Sequence, residues 1–403
     1  MELTETHKPM TQFSDREKTP FWRDARFLRI AVQALVVILV VVLISVLMGN
    51  LNQSLRQQGR QFNFSFLFNE AGFNIGESLI PYTPNDRYYW AFVVGLVNTL
   101  RLILVGFVLT TVLGVIAGIA SFSENWLLRK LSQVYVELVR NIPLLLQLFI
   151  WYFGVYYTLS APPPGTNQPN DVLFGLAFTS RRGIAIPWPA NTATSFVSLV
   201  LLIAALVTAV LLWRWRLKLM EEQGTSGKPQ LIAMGVLGAV GLLLLVVGLG
   251  WQVPQLNQVG EPEGGLRLSL EYTAVLSALV FYTGAFIAEI VRAGIQAVSK
   301  GQWEAAKALG LRSGLVMQLV VFPQALRVII PALNSQYMNL AKNSSLALAI
   351  GYPDIFSSAT TALNQSGRAV EVMTLIAITY LVINLVISVL MNTLNRTVQI
   401  KER

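Results

Sequence analysis

The chain has 403 residues, of which 54% are hydrophobic and 13% are charged, and its mean hydropathy is +0.56. So few charged residues cannot cover a soluble globule of this size, and the composition therefore indicates an integral membrane protein. The sequence has no cysteine and one histidine, His7, which excludes disulfides, thiol chemistry and His/Cys metal sites. The net charge of +9 is assigned to membrane orientation and lipid headgroups, because no basic patch interleaved with aromatic residues indicates nucleic-acid binding.

Eight apolar runs are long enough to cross the roughly 30 Å of bilayer hydrocarbon as helices. They lack the alternating pattern of barrel strands, so the predicted fold class is an all-α integral membrane protein with about eight transmembrane helices. The first run lies too far into the sequence, and lacks the cleavage site, for a removed signal peptide. The runs cover residues 30–49, 92–120, 142–160, 195–213, 230–250, 271–292, 324–349 and 370–391.

The distribution of Lys and Arg between these runs predicts the orientation of the chain. If the N-terminus is cytoplasmic, the loops and tails on the cytoplasmic side hold 21 of these residues and those on the opposite side hold 7. Cytoplasmic loops of membrane proteins carry the excess of positive charge. Both termini are therefore expected on the cytoplasmic side.

The second run contains one charged residue and one pair of small residues. Arg101 lies within the apolar run, and its long side chain is expected to extend toward the outer face. Gly114 and Gly118 are spaced for a close helix contact, either within the chain or between two subunits.

The region between the third and sixth runs gives few signals. Prolines at 162–164 end the third run and begin a polar extracytoplasmic stretch that extends to Asn191. Further along, tryptophans and cations alternate in Trp213 to Lys218, which indicates a helix end held at the membrane edge, with a specific lipid site as the alternative.

The loop after the sixth run has a defined spacing of residue types. Residues 301–310 read Gly-Gln-Trp-Glu-Ala-Ala-Lys-Ala-Leu-Gly, and ten residues after that last glycine the chain reads Val-Val-Phe-Pro, ending at Pro323. Helix-forming residues from Trp303 onward predict a short helix between Gly301 and Gly310, with Gly310 in the left-handed conformation that ends a helix. Pro323 is expected in the first turn of the next helix.

Three residues of this short helix are expected to meet a partner. The small side chains of Ala305 and Ala306 are predicted to form one face that presses into a groove. Glu304 is expected near the N-terminus of the helix, where the dipole favours a carboxylate that a basic partner residue can bind.

Ionisable groups at membrane depth are costly and usually functional. Lys342 is followed by Asn343, Ser344 and Ser345, and with Glu137 or Glu289 these residues are a candidate polar site along the path of a zwitterion. Two structural alternatives stay open. Lys342 could pair with a carboxylate that fixes helix packing, and Glu289 could pair with Arg292 three residues later on the same helix face.

The loop at 301–323 resembles the EAA loop of bacterial binding-protein-dependent ABC importer permeases. Three further blocks, at 136–149, 285–295 and 331–346, look like the polar amino acid branch of that family, and the match covers most of 90–160 and 270–395. The resemblance implies a type I permease core of five helices, those of the runs that begin at 92, 142, 271, 324 and 370. It also implies that the residues in contact with the ATPase are Trp303, Glu304, Ala305, Ala306, Gly310 and Pro323.

The resemblance also suggests how the chain is divided. Residues 92–160 and 271–403 form the two parts of the permease core, and the other segments are additions to it. These additions are a cytoplasmic tail (1–29), an extra helix (30–49), a periplasmic segment (50–91) and an insertion with two extra helices (161–270).

By resemblance, the chain is a non-enzymatic permease subunit that imports amino acids across a bacterial inner membrane. The expected partners are two ABC ATPase subunits, a second homologous permease in a heterodimer, a periplasmic amino-acid-binding protein and membrane lipids. No Gly-x4-Gly-Lys-Ser/Thr phosphate loop occurs in the chain, so ATP and Mg are expected on the separate ATPase.

The alternatives are a permease for another small polar solute, such as an opine or a polyamine, and an ion-gradient-driven transporter. A membrane enzyme is disfavoured because the usual pairs of nucleophile and base are lacking.

Overall fold

The computed structural model of the protein describes residues 25–57, 59, 61–162, 168–223, 227–257 and 261–398. Helices dominate this part of the chain, which confirms the all-α fold class. The α-helices are α1 (Ala25–Gln57), α2 (Tyr88–Ala120), α3 (Trp126–Asn141), α4 (Leu144–Phe149), α5 (Ala193–Gln223), α6 (Lys228–Leu243), α7 (Leu270–Gln296), α8 (Lys300–Ala308), α9 (Ser313–Val316), α10 (Phe322–Asn343), α11 (Ile355–Ser366) and α12 (Ala369–Val398). Short 3-10 helices cover Ser65–Phe68 and Ser344–Ile350, and π-helical turns cover Ile150–Tyr157, Leu244–Gly248 and Met317–Val321.

Seven helical segments of the described residues are long and apolar enough to cross a membrane, and a bent helix pair makes an eighth candidate. This count agrees with the eight predicted runs. Residues 1–24 of the predicted N-terminal tail (1–29) lie outside the described residues. Helix α1 begins within the predicted tail, at Ala25. The bounds of the helices are generally wider than those of the runs, because the helices continue into polar residues at their ends.

The chain divides into two compact units, Met1–Phe64 and Ser65–Arg403. In the first unit, the most apolar stretch of α1 has no buried residue, and side chains such as Leu43 are exposed. A helix that is apolar on all sides and uncovered is suited to a lipid environment. In the second unit, one core cluster draws on α2, α4, α7, α10 and α12.

The core of the second unit is organised around the close contact of α2 with α7. A Cβ atom at Gly114 would lie 2.5 Å from Cγ2 of Ile287, and one at Gly118 would lie 2.7 Å from Cβ of Val291. Only glycine allows the two backbones to approach so closely. The glycine pair therefore serves packing within the chain, which decides between the two alternatives left by the sequence.

The third predicted run begins at a sharp bend. The chain bends by 107° between α3 and the segment formed by α4 and its following π-helical turn, so this helix pair is a broken span or a re-entrant loop. The break falls at Pro143, which has no N–H to donate, and Ile142 before it is extended, as residues before proline prefer. The buried amide of Gln147 donates to the carbonyls of Val139 (2.8 Å) and Ile142 (2.9 Å), and the Val139 carbonyl also accepts from the Ile142 N–H (3.4 Å). The Gln147 side chain therefore bridges the break.

Pro323 lies in the first turn of α10, which begins at Phe322, as the sequence predicted. The helical segment around it is longer than the predicted run and continues from Ser313 to Ile350. The π-helical turn at Met317–Val321 comes just before this proline, where it adjusts the backbone hydrogen bonding. Helix α11 was not predicted; it is capped at its N-terminus by Asp354, whose carboxylate accepts from the Ser357 N–H (2.8 Å).

Short strands form at the two ends of the 161–270 insertion, and the sequence analysis did not predict them. They are β1 (Asn170–Asp171), β2 (Phe178–Ser180), β3 (Gly183–Ile186), β4 (Trp188–Pro189), β5 (Trp251–Gln252), β6 (Gln255–Leu256), β7 (Pro262–Glu263) and β8 (Leu266–Leu268). An antiparallel sheet in the order β1-β2-β3-β8 joins residues before α5 to residues after α6, and β4 pairs with β5. The insertion is therefore a helix pair, α5 and α6, closed at its base by strands.

The glycine contact predicts opposite effects for the same substitution at two sites. Gly114→Ala should lower the stability of the solubilised protein by about 1–3 kcal/mol, because the new methyl group overpacks the contact with Ile287. Gly238→Ala in α6, where a Cβ would have no atom within 4 Å, should leave stability unchanged or raise it by up to about 1 kcal/mol through helix propensity. Thermal unfolding in detergent measures both. Equal melting temperatures for the two variants would contradict the close α2–α7 contact.

Candidate functional site

The segment that carries the Glu-Ala-Ala sequence forms helix α8, followed by a sharp stop. The helix covers Lys300–Ala308, so Gly301 lies in its first turn and does not precede it. Gly310 has a φ of +75°, and the Leu311 N–H donates to the Ala306 carbonyl (3.3 Å). This is the left-handed helix stop that the sequence predicted at Gly310.

Helix α8 turns one side toward the protein and leaves the other exposed. Ala306 is 3% exposed and belongs to the main core cluster, and Trp303 packs against that cluster. Glu304 and Ala305 are exposed, and Leu309, just past the helix, is 81% exposed. The prediction that Ala305 and Ala306 form one outward face is therefore wrong, because neighbouring helix positions point in different directions.

Two further details of the predicted contact residues follow from the bounds of α8. Glu304 is the fifth residue of the helix and lies beyond its first turn, so the expected dipole stabilisation does not apply to it.

Pro323 lies in the second position of α10, and its neighbour Gln324 donates through Nε2 to Oε1 of Gln302 in α8 (3.2 Å). Val316 and Val321, between the two helices, are fully buried. The segment is thus held to its own chain at both ends.

Glu137 and Glu289, two of the predicted pathway residues, line one cavity of about 220 Å³ between α2, α3 and α7. Glu289 Oε2 lies 3.8 Å from Nη1 of Arg140 and 4.0 Å from Nη1 of Arg292. The predicted pairing with Arg292 is present, and Arg140 is an additional partner that joins α3 to α7. The polar or charged residues of the lining are Ser121, Ser132, Gln133, Glu137, Arg140, Glu289 and Arg292.

The Lys342 group lies at the other end of α10 and is only partly available to a solute. Lys342 is exposed, and no carboxylate of the described residues lies within ion-pair distance of it. The hydroxyl of Ser344 donates to the Ala341 carbonyl and that of Ser345 to the Lys342 carbonyl, both at 2.8 Å. These two hydroxyls are therefore engaged by their own helix.

Asn343 lines a second polar cavity, of about 250 Å³, and the sequence analysis missed its other members. Gln336, Asn339 and Asn343 are spaced three and four residues apart along α10, so they share one helix face. That spacing is visible in the sequence and could have identified the cavity. The residues that face them from α7 are Tyr282, Thr283 and Phe286.

The two cavities are neighbours along α7. The Arg140 guanidinium of the first cavity lies 5.1 Å from the ring centroid of Phe286, which lines the second. Tyr282, Phe286 and Glu289 follow one another at helical spacing and contribute to one or the other lining. Of the predicted pathway residues, Glu137 and Glu289 thus line the first cavity and Asn343 lines the second. Lys342, Ser344 and Ser345 line neither cavity, so the predicted residues do not form one site.

Arg101 points toward the segment predicted to be periplasmic (50–91), as expected, but it is paired there and largely shielded from solvent. Its Nη1 lies 2.5 Å from Oε1 of Glu77, its side chain is 15% exposed, and its guanidinium lies 3.9 Å from the Tyr272 ring centroid. The Ser269 hydroxyl, which caps α7, also donates to Glu77. The loop before α2 therefore supplies the counter-charge of Arg101. The sequence analysis missed this pair because Glu77 is far from Arg101 along the chain.

Several helices long and apolar enough to cross a membrane, an exposed short helix held beside them and two polar cavities along α7 are the features of a membrane transport component. Residues 110–400 match the model of the family described as "Binding-protein-dependent transport system inner membrane component". The chain belongs to this family, whose members are permease components of ABC importers and not enzymes. Their partners are an ABC ATPase and a binding protein.

Three relatives resemble the chain over most of its length. The provisionally named amino-acid ABC transporter permease protein YhdX of Escherichia coli is 46% identical over 84% of this chain and 86% of its own. The general L-amino acid transport system permease protein AapQ of Rhizobium johnstonii is 41% identical over 84% of each chain. The glutamate/glutamine/aspartate/asparagine transport system permease protein BztB of Rhodobacter capsulatus is 39% identical over 94% of this chain and 96% of its own.

The Arg101–Glu77 pair predicts a large loss of stability when one partner is removed. Glu77→Gln should cost about 3 kcal/mol, because it leaves the guanidinium largely buried without a counter-charge. The double variant Glu77→Leu with Arg101→Met should recover most of that loss, since no unpaired charge is left. Thermal unfolding in detergent measures the difference.

The exposed pair Arg182–Glu261 is the matched control. Its side chains are 68% and 38% exposed, so Glu261→Gln should cost less than about 1 kcal/mol. The importance of the Glu77 pair would be contradicted if Glu77→Gln and Glu261→Gln lowered the melting temperature equally.

Proposed function

We propose that this chain is the membrane subunit of an ABC importer for amino acids, and that α8 transmits the motion of an ATPase to the solute pathway. The observation that carries the proposal is the arrangement of α8, with Trp303 and Ala306 packed on the core while Glu304, Ala305 and Leu309 are exposed. A short helix of this kind can bind a partner on one side and stay fixed to its own chain on the other.

The seating of α8 supports transmission of force. Val298, Ala306, Val316 and Val321 are buried in the same core cluster as α7 and α10, and Gln302 is hydrogen-bonded to Gln324. Protein cores are close-packed and deform little, so a push on α8 would displace the ends of α7 and α10. Because α7 lines both polar cavities and α10 lines the second, the motion would reach the solute.

The partners follow from the family and from the relatives. ATP and Mg would be bound by two ATPase subunits beneath α8, which places α8 and both termini in the cytoplasm, in agreement with the 21 Lys and Arg assigned to that side. A periplasmic binding protein would deliver the solute. A second homologous permease would complete a heterodimer, and the core of this chain would consist of α2, the α3–α4 pair, α7, α10 and α12.

Amino acids are the proposed solutes because all three relatives are named for amino acid transport. The two cavities along α7 offer groups that suit a zwitterion: carboxylates and guanidinium groups near Glu289, and amides near Asn343. Lys342 is exposed and has no carboxylate partner among the described residues, so it is available to a solute carboxylate. A relay of weak polar contacts would let the solute pass without being trapped.

The coupling role of α8 is tested by charge reversal at Glu304. In a tagged pull-down from detergent, wild type should recover an ATPase and a second permease, and Glu304→Lys should lose the ATPase but keep the permease, because the exposed carboxylate is positioned for a basic partner residue. The matched control is Glu124→Lys, which reverses another exposed carboxylate in the loop after α2 and should keep both.

Two outcomes contradict the proposal in different ways. If Glu304→Lys retains the ATPase as well as Glu124→Lys does, α8 is not the contact. If wild type recovers no ATPase while the permeases stay together, and uptake survives ATP depletion but not loss of the ion gradient, the chain is a gradient-driven transporter.

The pathway role of Lys342 predicts a transport defect without an assembly defect. Lys342→Ala should reduce amino acid uptake at limiting concentration about tenfold, the effect of losing one charge-assisted hydrogen bond of about 1.5 kcal/mol. Lys342→Arg should retain most activity, and Lys130→Ala, which removes an exposed cation from α3, should retain all of it. Radiolabelled uptake into proteoliposomes measures the effect. Unchanged uptake by Lys342→Ala in a fully assembled complex would remove Lys342 from the pathway.

A further inference from the structure

The sheet at the base of the insertion borders a third cavity, which shares no lining residue with the two cavities along α7. The cavity has a volume of about 470 Å³, and its lining includes Ser160 after α4, Arg181 and Arg182 in the β2–β3 turn, and Glu261 and Arg267 around β7 and β8. Residues from both ends of the insertion thus converge on one space, because β3 pairs with β8.

The charge in this cavity is not balanced. Arg182 is paired with Glu261. Arg181 bonds the Tyr157 hydroxyl and lies 4.8 Å from the centre of that ring, and Arg267 bonds the Pro262 carbonyl, so both have neutral partners. Among the described residues, neither of these two guanidinium groups has a carboxylate within ion-pair distance. The cavity therefore has two positive charges that no carboxylate of the described residues neutralises.

A buried hydroxyl adds a second, independent indication of a ligand. Ser160 is 1% exposed, lines the cavity, and its Oγ has no hydrogen-bond partner among the described residues. Buried hydroxyl groups are normally paired, so an unpaired one in a polar cavity indicates a missing partner. Two guanidinium groups and a hydroxyl can donate hydrogen bonds to a carboxylate, and arginine is the preferred residue for recognising a carboxylate.

The position of the cavity indicates where the carboxylate comes from. Strand β8 ends at Leu268, one residue before the Ser269 cap of α7, and α8 follows the other end of α7. The 27 residues of α7 span about 40 Å, so the sheet and α8 lie at opposite ends of a membrane-crossing helix. If α8 meets the ATPase in the cytoplasm, the cavity opens on the side from which the binding protein approaches.

We propose that this cavity receives an acidic side chain of the binding protein, so that the insertion is a docking platform. The inference rests on the proposed function, since it requires the same orientation and the same partner. Docking on the sheet acts directly on the start of α7, the helix that leads to α8. Charged groups at an interface mainly determine association rate, salt dependence and choice of partner, so this site would select the cognate binding protein.

The test measures how the ATPase rate of the complete importer in nanodiscs depends on the concentration of its amino-acid-loaded binding protein. The double variant Arg181→Gln with Arg267→Gln should raise the half-maximal concentration about tenfold with an unchanged maximal rate, because it removes both unpaired charges. It should also weaken the dependence on salt. Arg87→Gln, which removes an exposed arginine at the start of α2 on the same side, is the matched control and should behave as wild type.

Each remaining outcome has one meaning. An unchanged half-maximal concentration in the double variant, with wild-type assembly, overturns the docking site. If millimolar glutamate alone changes the ATPase rate of wild type but not of the double variant, the cavity binds a free amino acid and docking is also overturned. Should the double variant fail to assemble, Arg181→Lys and Arg181→Gln are compared, and equal half-maximal concentrations overturn the proposal. If no binding protein stimulates wild type, the proposed function itself fails.

Discussion

The close approach of α2 to α7 is the contact on which the second unit depends. Gly114 and Gly118 let the α7 backbone at Gly284 and Ala288 come within the distance that a single methyl group would fill. Since lipid gives no hydrophobic drive for helices to associate, such packing must supply the stability. The features discussed above are all connected to this helix pair. Residues of α7 line both polar cavities, the insertion sheet leads into the start of α7, and α8 follows the end of α7.

Arg101 and the carbonyls at the Pro143 break are polar groups of the helical part that are satisfied by a residue distant in sequence or on the other side of the break. Glu77 neutralises Arg101 and accepts from Ser269, which ties the loop before α2 to the start of α7. Gln147 closes the break at Pro143 by donating to two carbonyls of the preceding segment. Unsatisfied backbone groups are too costly in lipid to persist, so these contacts make the irregular segments possible.

The connection between the two ends of α7 suggests how the parts cooperate. The sheet, the capped start of α7, the polar cavities and α8 form one packed series of elements, with no flexible linker among the described residues from Leu266 to Ala308. A force applied at either end would be passed through a close-packed core. The insertion, which the sequence analysis could barely interpret, then becomes part of the transport machinery and not a passive addition.

The sequence by itself determined the membrane class, the eight apolar runs, the short helix ended by Gly310 and the family, because hydrophobicity, glycine conformation and motif spacing are local properties of the chain. It could have revealed Gln336 and Asn339 by their helical spacing. Only the tertiary structure decided that Ala306 faces inward, that Arg101 pairs with Glu77, that Glu289 lies between two arginines and that Arg181 and Arg267 share a cavity. These facts depend on which residues meet across long sequence separations, and that is fixed by helix packing and strand pairing.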